Sequence, residues 1–154
     1  MAPMPQSLSN LIVHLVFSTK NREQWFKDPI EREEWFAFIG GVSKQLDCPT
    51  LIVGGMPDHV HILARVGRKV SISDWVGELK RVTSAWVKTR FPGKAGFYWQ
   101  EGYAVFSVSQ SNTDAVVAYI EKQEEHHAGR SFQDEFRVLL KRHQMEWDER
   151  YAWD

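Results

Sequence analysis

Five residues, Gly54-Gly55-Met56-Pro57-Asp58, separate two β-rich runs at 48–53 and 59–66, and they constrain the fold more than any other stretch. A connection so short and so rich in turn formers makes the two runs a hairpin. The other strand candidates are set off by helix-like segments. Residues 10–18 are apolar and β-branched (Leu11, Ile12, Val13, Leu15, Val16, Phe17) and read as a buried strand. Asp28 and Pro29 are an N-cap and a first-turn proline. The helix they open runs to about Leu46, with Trp35, Phe36, Ile39 and Val42 on one stripe. Ser71 or Ser73 caps a second helix carrying Trp75, Leu79, Val82 and Trp86, which Phe91-Pro92-Gly93-Lys94 ends. Residues 97–109 read as extended, a strand or short hairpin broken at Glu101-Gly102. Asn112 or Thr113 opens a helix that reaches about His127 and stops at Gly129, and a short helix covers 132–142. The order β-α-β-β-α-β followed by helix is an α+β, ferredoxin-like plan, with the added C-terminal helix carrying Tyr119. Its two crossover helices cover one sheet face, and a second subunit is the economical cover for the other.

The 154 residues form one domain (1–154), with no internal repeat and no Pro-, Gly- or Ser-rich linker. At 43% apolar and 25% charged, the composition excludes disorder, collagen-like repeats and coiled coil. The longest apolar run, 11–17, is broken by His14 and is too short to cross a bilayer. The opening Met-Ala-Pro-Met-Pro shows no signal peptide or anchor, so a cytoplasmic protein with no membrane partner is expected. Cys48 is the sole cysteine, which excludes an internal disulfide and fits a reducing compartment. Seven Trp in so short a chain are unusual and are a weak pointer to an interface. Net charge is −1 but uneven: 65–94 holds eight Lys or Arg against Asp74 and Glu78, whereas 143–154 is an acidic tail. Such a basic middle, with Arg65, Lys80, Arg81 and Lys88 as candidates, is either a phosphate track or a solvated helix face.

The chemistry begins at His59-Val60-His61. Side chains at i and i+2 of a strand share a face, roughly 6.5–7 Å apart, so two imidazoles there can converge on one cation while Val60 and Ile62 pack behind. The competing reading is a plain outward alternation, because two ligands do not close a site. Tyr119 and Gln123 stand at i, i+4 on the next helix, on one face and about 6 Å apart. The Gln123 amide oxygen is a candidate third ligand, and Tyr119 would then lie beside the ion. A phenol has a pKa near 10 and needs activation to act as a nucleophile. The alternative makes Tyr119 a core residue with Val116 and Ile120, and Gln123 a surface amide. Trp99, Tyr103 and Phe106 either stack unpaired bases or belong to the core. His14, inside an apolar strand, reads as a satisfied structural residue, and His126 and His127 as polar residues facing solvent.

Gly55-Met56-Pro57-Asp58-His59-Val60-His61, then Trp99-Gln100-Glu101-Gly102-Tyr103 with Phe106-Ser107-Val108-Ser109, then Tyr119-Ile120-Glu121-Lys122-Gln123, resemble the single-tyrosine HUH transposases. These are the small enzymes of the insertion-sequence 200/605 group and their domesticated repeat-associated relatives. Three separate motifs in order make the resemblance specific, and it spans nearly the whole chain. It implies that His59 and His61 hold a divalent cation, Mg or Mn, with Gln123 as third ligand. It implies that Tyr119 attacks a phosphodiester of single-stranded DNA, giving a 5′-phosphotyrosine link and a free 3′-OH, so that strands can be rejoined. It implies hairpin DNA at element ends as substrate and a homodimer whose tyrosine helix can act in cis or in trans. A relaxase-like nicking enzyme is the neighbouring alternative, usually larger and with three histidines or two tyrosines. A non-catalytic single-strand binding module would carry paired aromatics on the central strands, where this chain has histidines instead.

Overall fold

The computed structural model describes residues 5–123 and 130–154. Four strands, β1 (Ile12–Ser18), β2 (Thr50–Met56), β3 (His59–Arg65) and β4 (Ala104–Val108), form one antiparallel sheet in the order β2-β3-β1-β4. Helices α1 (Pro29–Gln45) and α2 (Ile72–Arg90) are the two crossovers, and α3 (Thr113–Glu121) and α4 (Phe132–Arg142) follow the last strand. This is the ferredoxin-like plan with its helical addition, as the sequence implies. Helix α3 ends at Glu121, with Lys122 as its non-helical C-cap, short of the expected end near His127; His126, His127 and the expected stop at Gly129 lie outside the described residues. Among the described residues no helix is long and apolar enough to cross a membrane.

Local chemistry sets the element ends. Asp28 accepts from the Ile30 and Glu31 amides at the start of α1, and Ser71 and Ser131 each accept from the amide three residues on, at Asp74 and Asp134. The β2–β3 turn needs glycine at 55, where φ is +147° and a Cβ would collide with the His59 carbonyl. The last strand is shorter than the extended stretch 97–109. Trp99 makes only an isolated bridge to Thr19, and the carbonyls of Gln100, Glu101 and Gly102 turn instead to the Lys80 ammonium at 2.9, 3.1 and 2.7 Å.

The alternation of β1 and β3 divides the interior. Val13, Leu15 and Phe17 with Val60, Ile62 and Ala64 face α1 and α2, where Trp35, Ile39, Trp75 and Leu79 are buried. The buried stripe of α2 runs Trp75, Leu79, Thr83, Val87, slightly rotated from the expected one, with Val82 and Trp86 at its margin. Ile12, His14, Val16, His59, His61 and Leu63 face the other way, and there α3 and α4 close the sheet through Ile120, Phe132, Phe136, Leu139 and Leu140. The face for which the sequence suggests a second subunit is therefore covered by the chain's own helices. The aromatic load is spent the same way: Trp35 stacks on Phe26 and Trp99, while Trp147 and Trp153 pack on the α4 cluster. Residues 143–154 fold back on the domain, with an Asp154 oxygen accepting from the Gly102 amide at 2.8 Å.

Candidate functional site

His59 and His61 lie on the face of β3 that α3 and α4 cover, with Val60 and Ile62 packed behind them, and both rings are fully buried. Their centroids are 5.2 Å apart. From α3, Tyr119 brings its ring to 5.9 Å from His61, and Gln123, just past the helix, points its Oε1 at His59 Nε2, 3.2 Å away. The i, i+2 pair and the i, i+4 pair of the sequence thus meet within one chain.

A residue that sequence reasoning missed joins them. Glu135, in the first turn of α4 and 2% exposed, sets Oε1 at 2.8 Å from His61 Nε2 and 3.4 Å from His59 Nε2. Its Oε2 accepts from the Tyr119 hydroxyl at 2.6 Å and from the Gln123 amide at 3.2 Å. A signal for it exists: an acid in the apolar stripe Phe132, Phe136, Leu139, Leu140 of an amphipathic helix is out of place unless something cationic or donating faces it. Outside this centre, Asp58 Oδ1 sits 2.7 Å from His59 Nδ1, and His14 Nε2 sits 2.8 Å from His61 Nδ1. His14 is satisfied, as its sequence context suggests, and its partner is a site residue.

The electrostatics follow from burial and from the two carboxylates. Burial alone would push His59 down, but Asp58 and Glu135 hold it up, to about 9. His14 lies well below the usual imidazole range, because it is buried and faces His61. Burial and the adjacent Glu135 charge raise the Tyr119 phenol well above its ordinary value. The donor set suits a divalent cation: His59, His61 and Glu135 each offer a ligand atom, all within 4.8 Å of one another, and the Gln123 amide oxygen is adjacent.

The predicted phosphate contacts are scattered. Arg65 ends β3 on the histidine face and is exposed. Lys80, Arg81 and Lys88 belong to α2, on the opposite face of the sheet. Lys80 is committed to three carbonyls, Arg81 pairs with Glu78 at 2.7 Å, and Lys88 lies 4.0 Å above the Tyr98 ring. Trp99 and Phe106 are buried, so of the three candidate stacking residues Tyr103 alone is exposed.

The family described as Transposase IS200 like matches residues 7–123. The chain is 29% identical over 124 residues to the transposase for insertion sequence element IS200 of Salmonella typhimurium, covering 74% of this chain and 77% of the relative. It is 24% identical over 115 residues to the ISDra2 transposase TnpA of Deinococcus radiodurans, covering 71% and 81%. The crystal structure of a Deinococcus radiodurans R1 protein assigned as a transposase superposes with a TM-score of 0.63 at 26% identity, over 80% of this chain and 98% of that one. A REP-associated tyrosine transposase bound to a REP hairpin shares the fold, with a TM-score of 0.58 at 14% identity over 83% and 75%. The matched segment ends at Gln123, so Glu135 and α4 lie beyond it.

Proposed function

The chain belongs to the IS200-like transposase family, and from that premise we propose that it cuts and rejoins single-stranded DNA through Tyr119, with a divalent cation, Mg or Mn, at His59 and His61. The observation that carries the reading is the convergence on one carboxylate: Glu135 touches both imidazoles with one oxygen and the Tyr119 hydroxyl with the other. Gln123 completes the ligand set from the tyrosine side, and Glu135 is the acidic member that the family-matched segment does not contain. A cation held there supplies positive charge that polarises the scissile phosphate and offsets the Glu135 carboxylate.

The chain's own groups account for the rest. Tyr119 Oη attacks phosphorus, the bond from phosphorus to the 3′ oxygen breaks, and the 5′ side remains as a phosphotyrosine ester. The phenol hydrogen already points at Glu135 Oε2, which takes it as the new bond forms. The departing 3′ oxygen leaves as a hydroxyl after gaining a proton from water, and the hydroxide so formed is neutralised by the proton that Glu135 releases. Because the ester conserves the bond energy, the 3′-OH of a strand can reverse the step and rejoin DNA. Strands carrying a hairpin are the proposed substrate, in line with the hairpin-bound neighbour of like fold. Arg65, on the histidine face of the sheet, is the proposed phosphate contact; Arg81 and Lys88, on the opposite face, would act only at a distance, and Lys80 by holding the 100–102 loop. A homodimer is proposed on the family resemblance alone.

Incubation with labelled single-stranded hairpin DNA and Mn tests the reading. A covalent adduct that survives denaturation is expected, abolished in Tyr119→Phe and reduced at least about 100-fold in His61→Ala. An adduct that persists in Tyr119→Phe overturns it, as does DNA binding with no adduct from the unaltered protein.

A further inference from the structure

We propose that His14 is the positioning residue of this site: its Nε2 accepts the Nδ1 hydrogen of His61 and so keeps His61 Nε2 available as a ligand atom. The proposal rests on the reading that His61 holds a cation. In the sheet, Val16 lies opposite His61 and Leu63 opposite His14, so the two imidazoles approach on the diagonal between β1 and β3, and their nitrogens meet at 2.8 Å. A neutral imidazole offers one nitrogen to a metal only when the other carries the hydrogen, and ligating histidines give that hydrogen to a fixed acceptor. For His59 the acceptor is Asp58 Oδ1, at 2.7 Å. For His61 the group in that place is His14.

The choice of a neutral acceptor has a physical reason. The site already contains the Glu135 carboxylate, 2.8 Å from His61 Nε2, and a second acid behind His61 would add like charge in a buried space. His14 orients the ring without that cost. It is buried between the Phe106 and Tyr119 rings, with centroids at 6.0 and 6.3 Å, which fixes its own ring plane. His14 is not itself a ligand in this arrangement, because the nitrogen that faces the site is spent on His61. The two ligands are therefore held unequally, His59 by an anion and His61 by a neutral ring.

Mn binding by calorimetry on the full chain separates this from simple packing. His14→Phe keeps the ring but removes the acceptor, and it is expected to weaken Mn binding about 10–100-fold. His14→Gln restores an acceptor oxygen and is expected to bind within a few-fold of the unaltered protein, with both variants checked by circular dichroism. An independent measurement needs no substitution: nitrogen-15 NMR of the zinc-loaded protein should show the His61 hydrogen on Nδ1, protected from exchange. Unaltered Mn binding in His14→Phe, or a His61 hydrogen on Nε2 in the loaded protein, overturns the role of His14. Mn binding that survives His61→Ala would instead overturn the metal reading beneath it.

Discussion

Glu135 gathers the Tyr119 hydroxyl, the Gln123 amide and both imidazoles onto one carboxylate, so different substitutions there remove different things. Glu135→Ala strands several buried donors at once, and a loss of about 3–5 kcal/mol in stability is expected from thermal melting. Glu135→Gln keeps the volume and removes the charge. Since that charge helps to raise the Tyr119 phenol, alkaline absorbance titration should show the phenol pKa falling toward its ordinary value, read as the difference from Tyr119→Phe. A phenol that titrates unchanged in Glu135→Gln would mean that burial alone sets it. His59 gives a pH signature of the metal-free protein. Its folded pKa, about 9, exceeds its unfolded value, so the stability it adds is complete below about 6.5 and is lost as pH rises through about 9. Chelator-treated protein should melt at progressively lower temperature across that window, and His59→Asn should flatten the trend. The four residues legible in the sequence, His59, His61, Tyr119 and Gln123, each obey a short-range spacing, i+2 along β3 or i+4 from Tyr119 across the end of α3. Glu135 and His14 relate to them only through strand register and helix docking, which no local pattern encodes.

Elements deliver these side chains, and their fit is close where α3 meets the sheet. Gly54 of β2 lies under Ile120: a Cβ there would stand 2.7 Å from Ile120 Cγ2 and 3.1 Å from its carbonyl oxygen. Tyr119 is the adjacent residue, so whatever lifts Ile120 moves the proposed nucleophile. Gly54→Val is expected to cost about 1–3 kcal/mol by overpacking, and to reduce adduct formation with hairpin DNA more than it reduces Mn binding. Equal losses in both would place the damage in the sheet and not in the docking of α3. The helices were legible because their caps and apolar stripes are local. The destination of α4 was not legible, because an apolar stripe says that a helix is buried and not against what. The stretch 97–103 misleads for a related reason. Phe97 and Trp99 are buried as strand residues are, but the segment's backbone meets β1 only where the Gln100 amide donates to the Ser18 carbonyl, and the 100–102 carbonyls turn to Lys80.

At the scale of the whole molecule, both sheet faces are closed by helices of the same chain, and 143–154 is folded against α4, with Arg137 bridging to Glu149 at 2.7 Å and lying under Trp153. Closure of the second face removes the need for a partner that an open ferredoxin-like sheet would create. It also places Tyr119 beside the histidines of its own chain, with ring centroids 5.9 Å apart, and a distance so short leaves no room for a partner's helix to lie between them. The arrangement therefore predicts cleavage in cis, whatever the oligomeric state. Tyr119→Phe lacks the proposed nucleophile but keeps the imidazoles, whereas His61→Ala keeps the Tyr119 hydroxyl and damages the proposed cation site. If each active site is built from one chain, an equimolar mixture of the two variants contains no intact site, and the adduct with hairpin DNA should stay at the level of the single variants. If the tyrosine helix instead reaches the partner's histidines, one site in a mixed dimer combines both unaltered halves, and adduct should reappear at roughly a quarter of the unaltered yield for random pairing. Recovery of that size, with mixed dimers shown by differential tagging, would require α3 to leave the Glu135 carboxylate and would mean that the cis arrangement is a resting state.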